Sequence, residues 1–119
     1  MLAVGEHVLD HLDPQCLRMA TPLAGGVSAT RLEMCGALSG GVMVIGALLG
    51  RTSPQESDER AYAVAQAYRE RFLDELQDTQ CAPLREQVQA PGGMGSCALL
   101  VERAAMILLQ VLDEAGIPV

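Results

Sequence analysis

The segment EMCGALSGGVMVIGALLGR, residues 33–51, is the most apolar part of the chain and decides how the rest must fold. No charged residue lies between Glu33 and Arg51, five glycines are spread along the segment, and Cys35 stands near its start. A helix that is apolar on every side must be surrounded by other helices or by lipid. The uncharged run is short compared with the ~20 residues that cross a bilayer. We therefore expect a buried central helix and no membrane span.

The composition around this segment favours helices. The chain has 119 residues, of which 50% are hydrophobic but only 3% are aromatic, so its core must be built from Leu, Val, Ala, Ile and Met. Leucine and alanine are strong helix formers, and no alternating strand pattern is present. The sequence predicts a single helical domain over residues 1–119. Its predicted fold is all-α, a small antiparallel bundle of about five helices with the Gly-rich apolar helix at its centre.

Capping residues, prolines and glycines indicate the helix boundaries. Two capping boxes, Thr30–Glu33 and Ser53–Glu56, predict the starts of the third and fourth helices. Pro83 predicts the end of the fourth helix near Cys81, because the residue before a proline disfavours the α conformation. Asp13 and Ser96 are predicted N-caps of the second and fifth helices. Apolar residues recur at intervals of three and four along the fourth and fifth helices. The predicted helices run approximately over residues 2–12, 14–21, 31–50, 54–81 and 97–115. The segment QAPGGMG before the last helix reads as a loop.

Charge and the N-terminal sequence restrict the class of protein. The net charge is −7 and the chain contains no lysine, so nucleic acid is not an expected partner. The N-terminal residues include acidic side chains and lack the basic region of a signal peptide, which favours a cytoplasmic location. In a reducing compartment, the four cysteines are expected to serve metal binding, redox chemistry or core packing rather than structural disulfides.

Alternating helix directions bring three of the cysteines together. Cys35 lies near the start of the third predicted helix, Cys81 at the end of the fourth, and Cys97 at the start of the fifth, so all three fall at one end of the bundle. The amides at the start of its helix favour the thiolate form of Cys97. Cys16 traces to the other end, about 25 Å away at ~1.5 Å per helical residue. Cys16 is therefore predicted to be a packing residue.

The cysteine pattern resembles that of the C_GCAxxG_C_C family of redox-active proteins. The segment CGALSGGVMVIGALLGR matches the family's Cys-Gly-Ala-x-x-Gly at Cys35, Gly36, Ala37 and Gly40. FLDELQDTQC and SCALLVERAAMILLQVL match its two later cysteines, Cys81 and Cys97, and the likeness runs from about Asp13 to Leu112. The resemblance implies a small helical protein whose cysteines carry redox or metal chemistry.

The chain departs from the family pattern at two places. A further family cysteine would fall just upstream of Met1, and the Gly-Ser-Thr run that usually precedes the third family cysteine is replaced by Asp78, Thr79 and Gln80. Both departures bear on whether the site of this chain has the full set of family groups.

Two hypotheses from different classes follow. The first is a three-cysteine site with Cys35 and Cys97 as primary thiols and Cys81 as the third, while Gly36 and Gly40 let backbone approach the site. The same three cysteines could run a thiol–disulfide relay with an unidentified redox partner, or ligate zinc or an iron–sulfur cluster. The alternative is a non-catalytic helical interaction module, a homodimer through the Gly-rich helix, with inert buried cysteines. The sequence leaves open whether the protein is an enzyme.

Overall fold

The computed structural model describes residues 2–119, which form six α-helices, a short 3₁₀ turn and loops. The helices are α1 (Leu2–Val8), α2 (Pro14–Ala20), α3 (Gly36–Leu49), α4 (Glu59–Leu76), α5 (Cys81–Gln89) and α6 (Cys97–Glu114). The 3₁₀ turn, Thr21–Leu23, follows α2 directly. Over this range the only β-type pairing is one isolated bridge between Met34 and Gln80. The all-α prediction is confirmed, with six helices in place of about five.

Helix α3 lies at the centre of the packing. It contacts both α4 and α6, which also contact each other, and α1 and the 3₁₀ turn pack against it as well. The ring of Tyr68 on α4 crosses α3 where a Cβ on Gly41 would come within 2.5 Å of it, so glycine permits this close approach. Tyr68 also packs edge to face on Phe72, with ring centroids 6.1 Å apart. The predicted central Gly-rich helix is therefore present, but it is not enclosed on every side, because Val42, Gly46 and Ala47 on its outward side are exposed.

None of the helices in residues 2–119 combines the length and the apolarity needed to cross a membrane. Helix α3 has 14 residues. At ~1.5 Å per residue it spans about 21 Å, less than the ~30 Å of a hydrocarbon core.

Two of the predicted helix caps are confirmed. Asp13 precedes α2, and its carboxylate accepts a hydrogen bond from the amide of Gln15 at 2.8 Å. Ser96 precedes α6, and its hydroxyl accepts one from the amide of Ala98 at 3.1 Å. In both cases a short polar side chain satisfies an amide that has no partner inside the helix.

The predicted capping boxes do not open helices, because their side chains bond elsewhere. The Thr30 hydroxyl lies 2.8 Å from the carbonyls of both Gly26 and Val27, and the next residue, Arg31, has a left-handed φ of 62°. Helix α3 therefore begins five residues later than the box predicts, at Gly36. In the second box, the Glu56 carboxylate accepts a hydrogen bond from Thr52 at 2.9 Å. Helix α4 begins only at Glu59.

The prediction that Pro83 ends the fourth helix near Cys81 is wrong. Helix α4 ends at Leu76, where Gln77 adopts the left-handed conformation with φ 74°. Cys81 is instead the first residue of a separate helix, α5, and Pro83 is its third residue. The first four amides of a helix have no intrahelical partner, so a proline there costs no hydrogen bond. In the sequence QAPGGMG, Gln89 is the last residue of this helix, and residues 90–95 form the expected loop.

Residues 25–29 form a left-handed turn that lies against Cys81. Every residue from Gly25 to Ala29 has φ between 53° and 68°. A Cβ on Gly26 would lie 2.6 Å from the Cβ of Cys81 and 2.9 Å from the Cα of Arg31, so no larger residue fits there. Left-handed backbone costs L-residues about 1–2 kcal/mol each. The turn therefore stores strain at Val27, Ser28 and Ala29, while Gly26 allows the contact with Cys81.

We expect Gly26→Ala to destabilise the protein strongly. The left-handed φ costs about 1–2 kcal/mol and the overlap with Cys81 about 1–3 kcal/mol, so the free energy of unfolding should fall by roughly 2–5 kcal/mol. The measurement is urea unfolding followed by circular dichroism.

Gly92→Ala is the matched control for this change. Gly92 also has a positive φ, 80°, but a Cβ there would meet nothing within 4 Å. This variant should lose only the backbone cost of about 1–2 kcal/mol. Equal losses in the two variants would contradict the close contact between Gly26 and Cys81.

Candidate functional site

A short antiparallel bridge places Cys35 beside Cys81. The Cys35 amide donates to the carbonyl of Thr79 at 2.8 Å, and the Cys81 amide donates to the carbonyl of Glu33 at 2.9 Å. Met34 and Gln80 form the pair between these two bonds. Because side chains alternate along extended backbone, Cys35 and Cys81 point to the face opposite Met34 and Gln80. Diagonal neighbours in such a pair have Cα atoms about 7–8 Å apart.

Each of three cysteines stands at the beginning of a helix. Cys35 is the N-cap residue of α3, Cys81 is the first residue of α5, and Cys97 is the first residue of α6. Helix starts carry unpaired amides and the positive end of the helix dipole. Three helix starts therefore converge on one region. Alternating helix directions predict this for the starts of α3 and α6, but α5 was not predicted as a helix.

These three cysteines line one half-open cavity of about 480 Å³. Gly36 and Gly40 of α3 also line it, and a Cβ on Gly36 would lie 3.1 Å from the Cα of Ala24, so glycine lets the backbone after the 3₁₀ turn approach α3. Most other lining side chains are apolar and come from α2, the 3₁₀ turn, α5 and α6: Leu17, Ala20, Leu23, Ala24, Leu84, Leu100 and Val101. The expected gathering of Cys35, Cys81 and Cys97 is therefore present.

The three thiols differ in their access to solvent. Cys35 and Cys81 are buried, with 9% and 6% of their surfaces exposed, whereas Cys97 is exposed. Arg85 of α5 reaches across the cavity, and its Nη1 lies 4.0 Å from the sulfur of Cys97. Cys81 and Arg85 are four residues apart on α5 and so share one face of that helix. Cys97 therefore faces the same side of α5 as Cys81.

Burial controls the ionisation of Cys35. Removal from water raises the pKa of its thiol above the ordinary value of 9.0, because the low-dielectric surroundings disfavour the charged form. The nearby backbone amides of Ala37 and Leu38 lower the pKa, and the thiols of Cys81 and Cys97 raise it further by charge repulsion. At neutral pH, Cys35 is therefore a protonated thiol.

A buried tyrosine lies on the core side of Cys35. Tyr68 is 1% exposed, and its hydroxyl is 3.3 Å from the carbonyl of Ala37 and 3.5 Å from that of Ala104. Burial, with a smaller contribution from Cys35, raises the pKa of this phenol far above its usual range. The phenol stays neutral and acts as a hydrogen-bond donor between α3 and α6. Its place in the core follows from the helix periodicity, but its position near Cys35 requires the three-dimensional structure.

Cys16 lies closer to the site than the sequence predicts. It is half-buried and does not line the cavity, but the next residue, Leu17, does. Helix α2 and the 3₁₀ turn cover the cavity instead of standing at the far end of α3. The predicted separation of about 25 Å, a whole helix length, is therefore wrong. The cause lies in the length of α2: its seven residues span only about 10 Å, too short to carry Cys16 to the far end of α3.

The three cysteines share a cavity without forming a ligand set. In residues 2–119, no three Cys, His, Asp or Glu side chains are grouped so that they could hold one metal ion. Zinc and iron–sulfur sites need several ligands at fixed short distances. The residues as arranged do not fit such a centre, and ligation of zinc or a cluster by Cys35, Cys81 and Cys97 stays a prediction that this geometry does not favour.

A larger groove of about 650 Å³ runs along the surface of α4 and α6, and no cysteine lines it. The chemistry-bearing side chains are therefore in the smaller cavity. Arg85 also lines that cavity and was not predicted from the sequence. Its spacing of four from Cys81 was the available signal, but this had no meaning until α5 was recognised as a helix.

A protein-family model matches most of the chain. The model of a family described as "Putative redox-active protein (C_GCAxxG_C_C)" matches residues 1–111. No curated protein and no solved structure matches the chain. The matched range includes the bridge, the left-handed turn and all three cavity cysteines.

Native alkylation should follow the exposure of the four thiols. We expect Cys97 to react first at neutral pH, half-buried Cys16 next, and buried Cys35 and Cys81 last. Timed treatment with iodoacetamide and mass mapping of the peptides measures this order. Reaction of Cys35 as fast as Cys97 would contradict the burial described here.

Alkaline pH should reduce stability partly through Cys35. In the unfolded chain this thiol loses its proton near its ordinary pKa of 9.0, whereas the folded pKa is raised. Above the ordinary value the unfolded state binds fewer protons, so the free energy of unfolding falls as pH rises through the folded pKa. Urea unfolding between about pH 8 and pH 10 should show a shallower fall for Cys35→Ala than for wild type. Equal slopes would show that Cys35 does not contribute.

Proposed function

The chain belongs to the C_GCAxxG_C_C family, and on that premise we propose that it carries out thiol–disulfide exchange, with Cys97 as the attacking thiol and Cys81 as the resolving thiol. The observation that supports this most directly is the single apolar cavity lined by one exposed and two buried thiols. The reaction suits the reducing cytoplasm, where all four cysteines would be held as free thiols.

The proposed reaction has two steps. The Cys97 thiolate attacks one sulfur of a substrate disulfide, the substrate S–S bond breaks, and the released half takes up a proton. The Cys81 thiolate then attacks the sulfur of Cys97 in the mixed disulfide and releases the second half, which is also protonated. The protein dithiol is oxidised to a Cys81–Cys97 disulfide, and the substrate disulfide is reduced to two thiols by the same two electrons. A dithiol reductant would return the protein to its starting state.

Exposure and charge support Cys97 as the attacking group. Exposed thiols at helix starts beside a cation are the usual reactive cysteines of proteins. Cys97 is exposed at the start of α6, and the Arg85 guanidinium faces its sulfur. A substrate that enters the cavity from its open side meets this sulfur before it meets the two buried ones.

Cys81 is the better resolving thiol of the two buried cysteines. Cys81 and Arg85 share one face of α5, and Arg85 approaches Cys97, so Cys81 and Cys97 lie on the same side of α5 and line the same cavity. Cys35 is held protonated by its raised pKa, and only a thiolate attacks a disulfide. This assignment changes the order given by the sequence, in which Cys35 was a primary thiol and Cys81 the third.

The alternative function is a non-catalytic helical interaction module. The outward side of α3 supports it, because Val42, Gly46 and Ala47 of this apolar helix are exposed and could meet a second copy of the chain. An inert role for all the cysteines is harder to reconcile with an exposed Cys97 in an apolar cavity.

The proposed exchange predicts a distinct product with a neutral chromogenic disulfide, dithiodipyridine. In a Cys16→Ser background, which removes the thiol outside the cavity, the protein should release both halves of the reagent and gain a Cys81–Cys97 disulfide. The additional change Cys81→Ser should stop the reaction after one half is released, with the other half retained on Cys97. Absorbance and mass mapping of the peptides measure these products.

The variant Cys97→Ser provides the second arm of the test. It should slow the release by at least about tenfold, because only buried thiols remain in the cavity. If mass mapping instead finds a disulfide between Cys35 and Cys97, then Cys35 and not Cys81 is the resolving thiol. If the thiols stay unreactive until the protein unfolds, the interaction module is the correct function, and the same sample should then sediment as a dimer.

A further inference from the structure

One positive charge lies in the cysteine cavity of an acidic protein. The net charge of the chain is −7. Among the described residues that line the cavity, Arg85 is the one charged side chain. A cation in an apolar recess attracts an anion more strongly than a cation on the open surface does, because less water screens it.

Arg85 has donors to spare. The salt bridges found within residues 2–119 join Arg51 to Asp58 and Arg71 to Glu114, and neither involves Arg85. The one side-chain hydrogen bond of Arg85 in that range is the long approach of Nη1 to the Cys97 sulfur. A guanidinium has five N–H donors in a planar fork, which matches the two oxygens of a carboxylate. The half-buried fork is therefore open to an anionic group of a ligand.

The remaining wall of the cavity suits a hydrocarbon. Leu17 and Leu23 on one side and Leu84, Leu100 and Val101 on the other present apolar surface. The volume of about 480 Å³ falls in the range of ~300–1,000 Å³ that holds small organic ligands. A phosphate would demand more cations than this wall supplies, whereas one carboxylate is matched by one guanidinium.

We propose that this cavity binds small organic acids with a hydrocarbon body, that Arg85 pairs with their carboxylate, and that the redox substrate is a disulfide of such an acid. The carboxylate on Arg85 would hold the disulfide next to Cys97, which the guanidinium already faces. The disulfide part of this proposal rests on the proposed thiol–disulfide exchange, whereas the binding of organic acids does not. Arg85 is a binding residue in this scheme.

Binding is tested with decanoate and its neutral analogue decanamide, which have no disulfide. By isothermal titration, decanoate should bind wild type more tightly than decanamide does, although the net negative charge of the protein works against an anion. Arg85→Gln should weaken decanoate binding by about 10- to 100-fold, the usual value of a hydrogen-bonded ion pair, and leave decanamide unchanged. Arg85→Lys should retain part of the affinity, since it keeps the charge but not the fork.

Arg103→Gln is the matched control. Arg103 is an exposed arginine on α6 that lines the separate surface groove and not the cavity. The Arg103→Gln substitution removes the same charge from the chain as Arg85→Gln does. It should leave the affinity for decanoate as in wild type. An equal loss in Arg85→Gln and Arg103→Gln would mean that only net charge matters, and would overturn the proposal.

The redox part is tested with dithiodibutanoate and its neutral diamide. Wild type should reduce the dicarboxylate with a kcat/KM about 10- to 100-fold above that of the diamide, and Arg85→Gln should bring the ratio close to one. Decanoate should inhibit the reaction by competition.

Failure of the two proposals can be distinguished. If decanoate binds through Arg85 but dithiodipyridine yields no Cys81–Cys97 disulfide, the ligand class stands and the exchange function is wrong. If dithiodipyridine yields that disulfide but decanoate binds no better than decanamide, the exchange stands and the organic-acid proposal is wrong.

Discussion

Two backbone hydrogen bonds, from Cys35 to Thr79 and from Cys81 to Glu33, hold the cavity together. They join segments that are far apart in sequence and fix where two helices begin, because α3 and α5 start next to the paired residues. Each bond contributes only about 0.5–1.5 kcal/mol on its own. Their larger effect is positional: the bridge sets the facing direction of Cys35 and Cys81, and Gly26 then packs on Cys81 from the left-handed turn. Without this pairing, two of the three helix starts would have no reason to meet.

The same arrangement gives one apolar recess three thiols in different states. Cys97 is exposed and faces a guanidinium, Cys81 is buried at the start of a helix, and Cys35 is buried and kept protonated. A uniform set of reactive thiols would oxidise among themselves or bind metal indiscriminately. Graded burial instead separates a group that meets substrate from groups that act afterwards. Tyr68 stabilises this arrangement from the core side of the cavity, because its neutral hydroxyl hydrogen-bonds to backbone carbonyls of α3 and α6.

The sequence predicts regular structure well where local signals and tertiary packing agree. The periodicity of α4 and α6 and the caps at Asp13 and Ser96 lead to correct helices. It fails where a side chain finds a tertiary or non-helical partner, as the Thr30 hydroxyl does with the carbonyls around Gly26. The gathering of the cysteines follows from helix direction, although Cys81 begins a helix where the end of one was predicted. The role of Arg85 could not be predicted from the sequence, because it depends on which sulfur the guanidinium faces across the cavity.

The left-handed turn at residues 25–29 also determines when the cavity forms as the chain folds. The backbone hydrogen bonds of the turn are local, such as those from Ser28 to Pro22 and from Arg31 to Gly25, and two of its five residues are glycines, which adopt left-handed backbone readily. The contact of Gly26 with Cys81 is different, because it joins segments that are far apart in sequence and requires the closure of a long loop. We therefore expect the turn itself to form early in folding and its packing against Cys81 to form later. The cavity would then be completed by the docking of a turn that is already shaped.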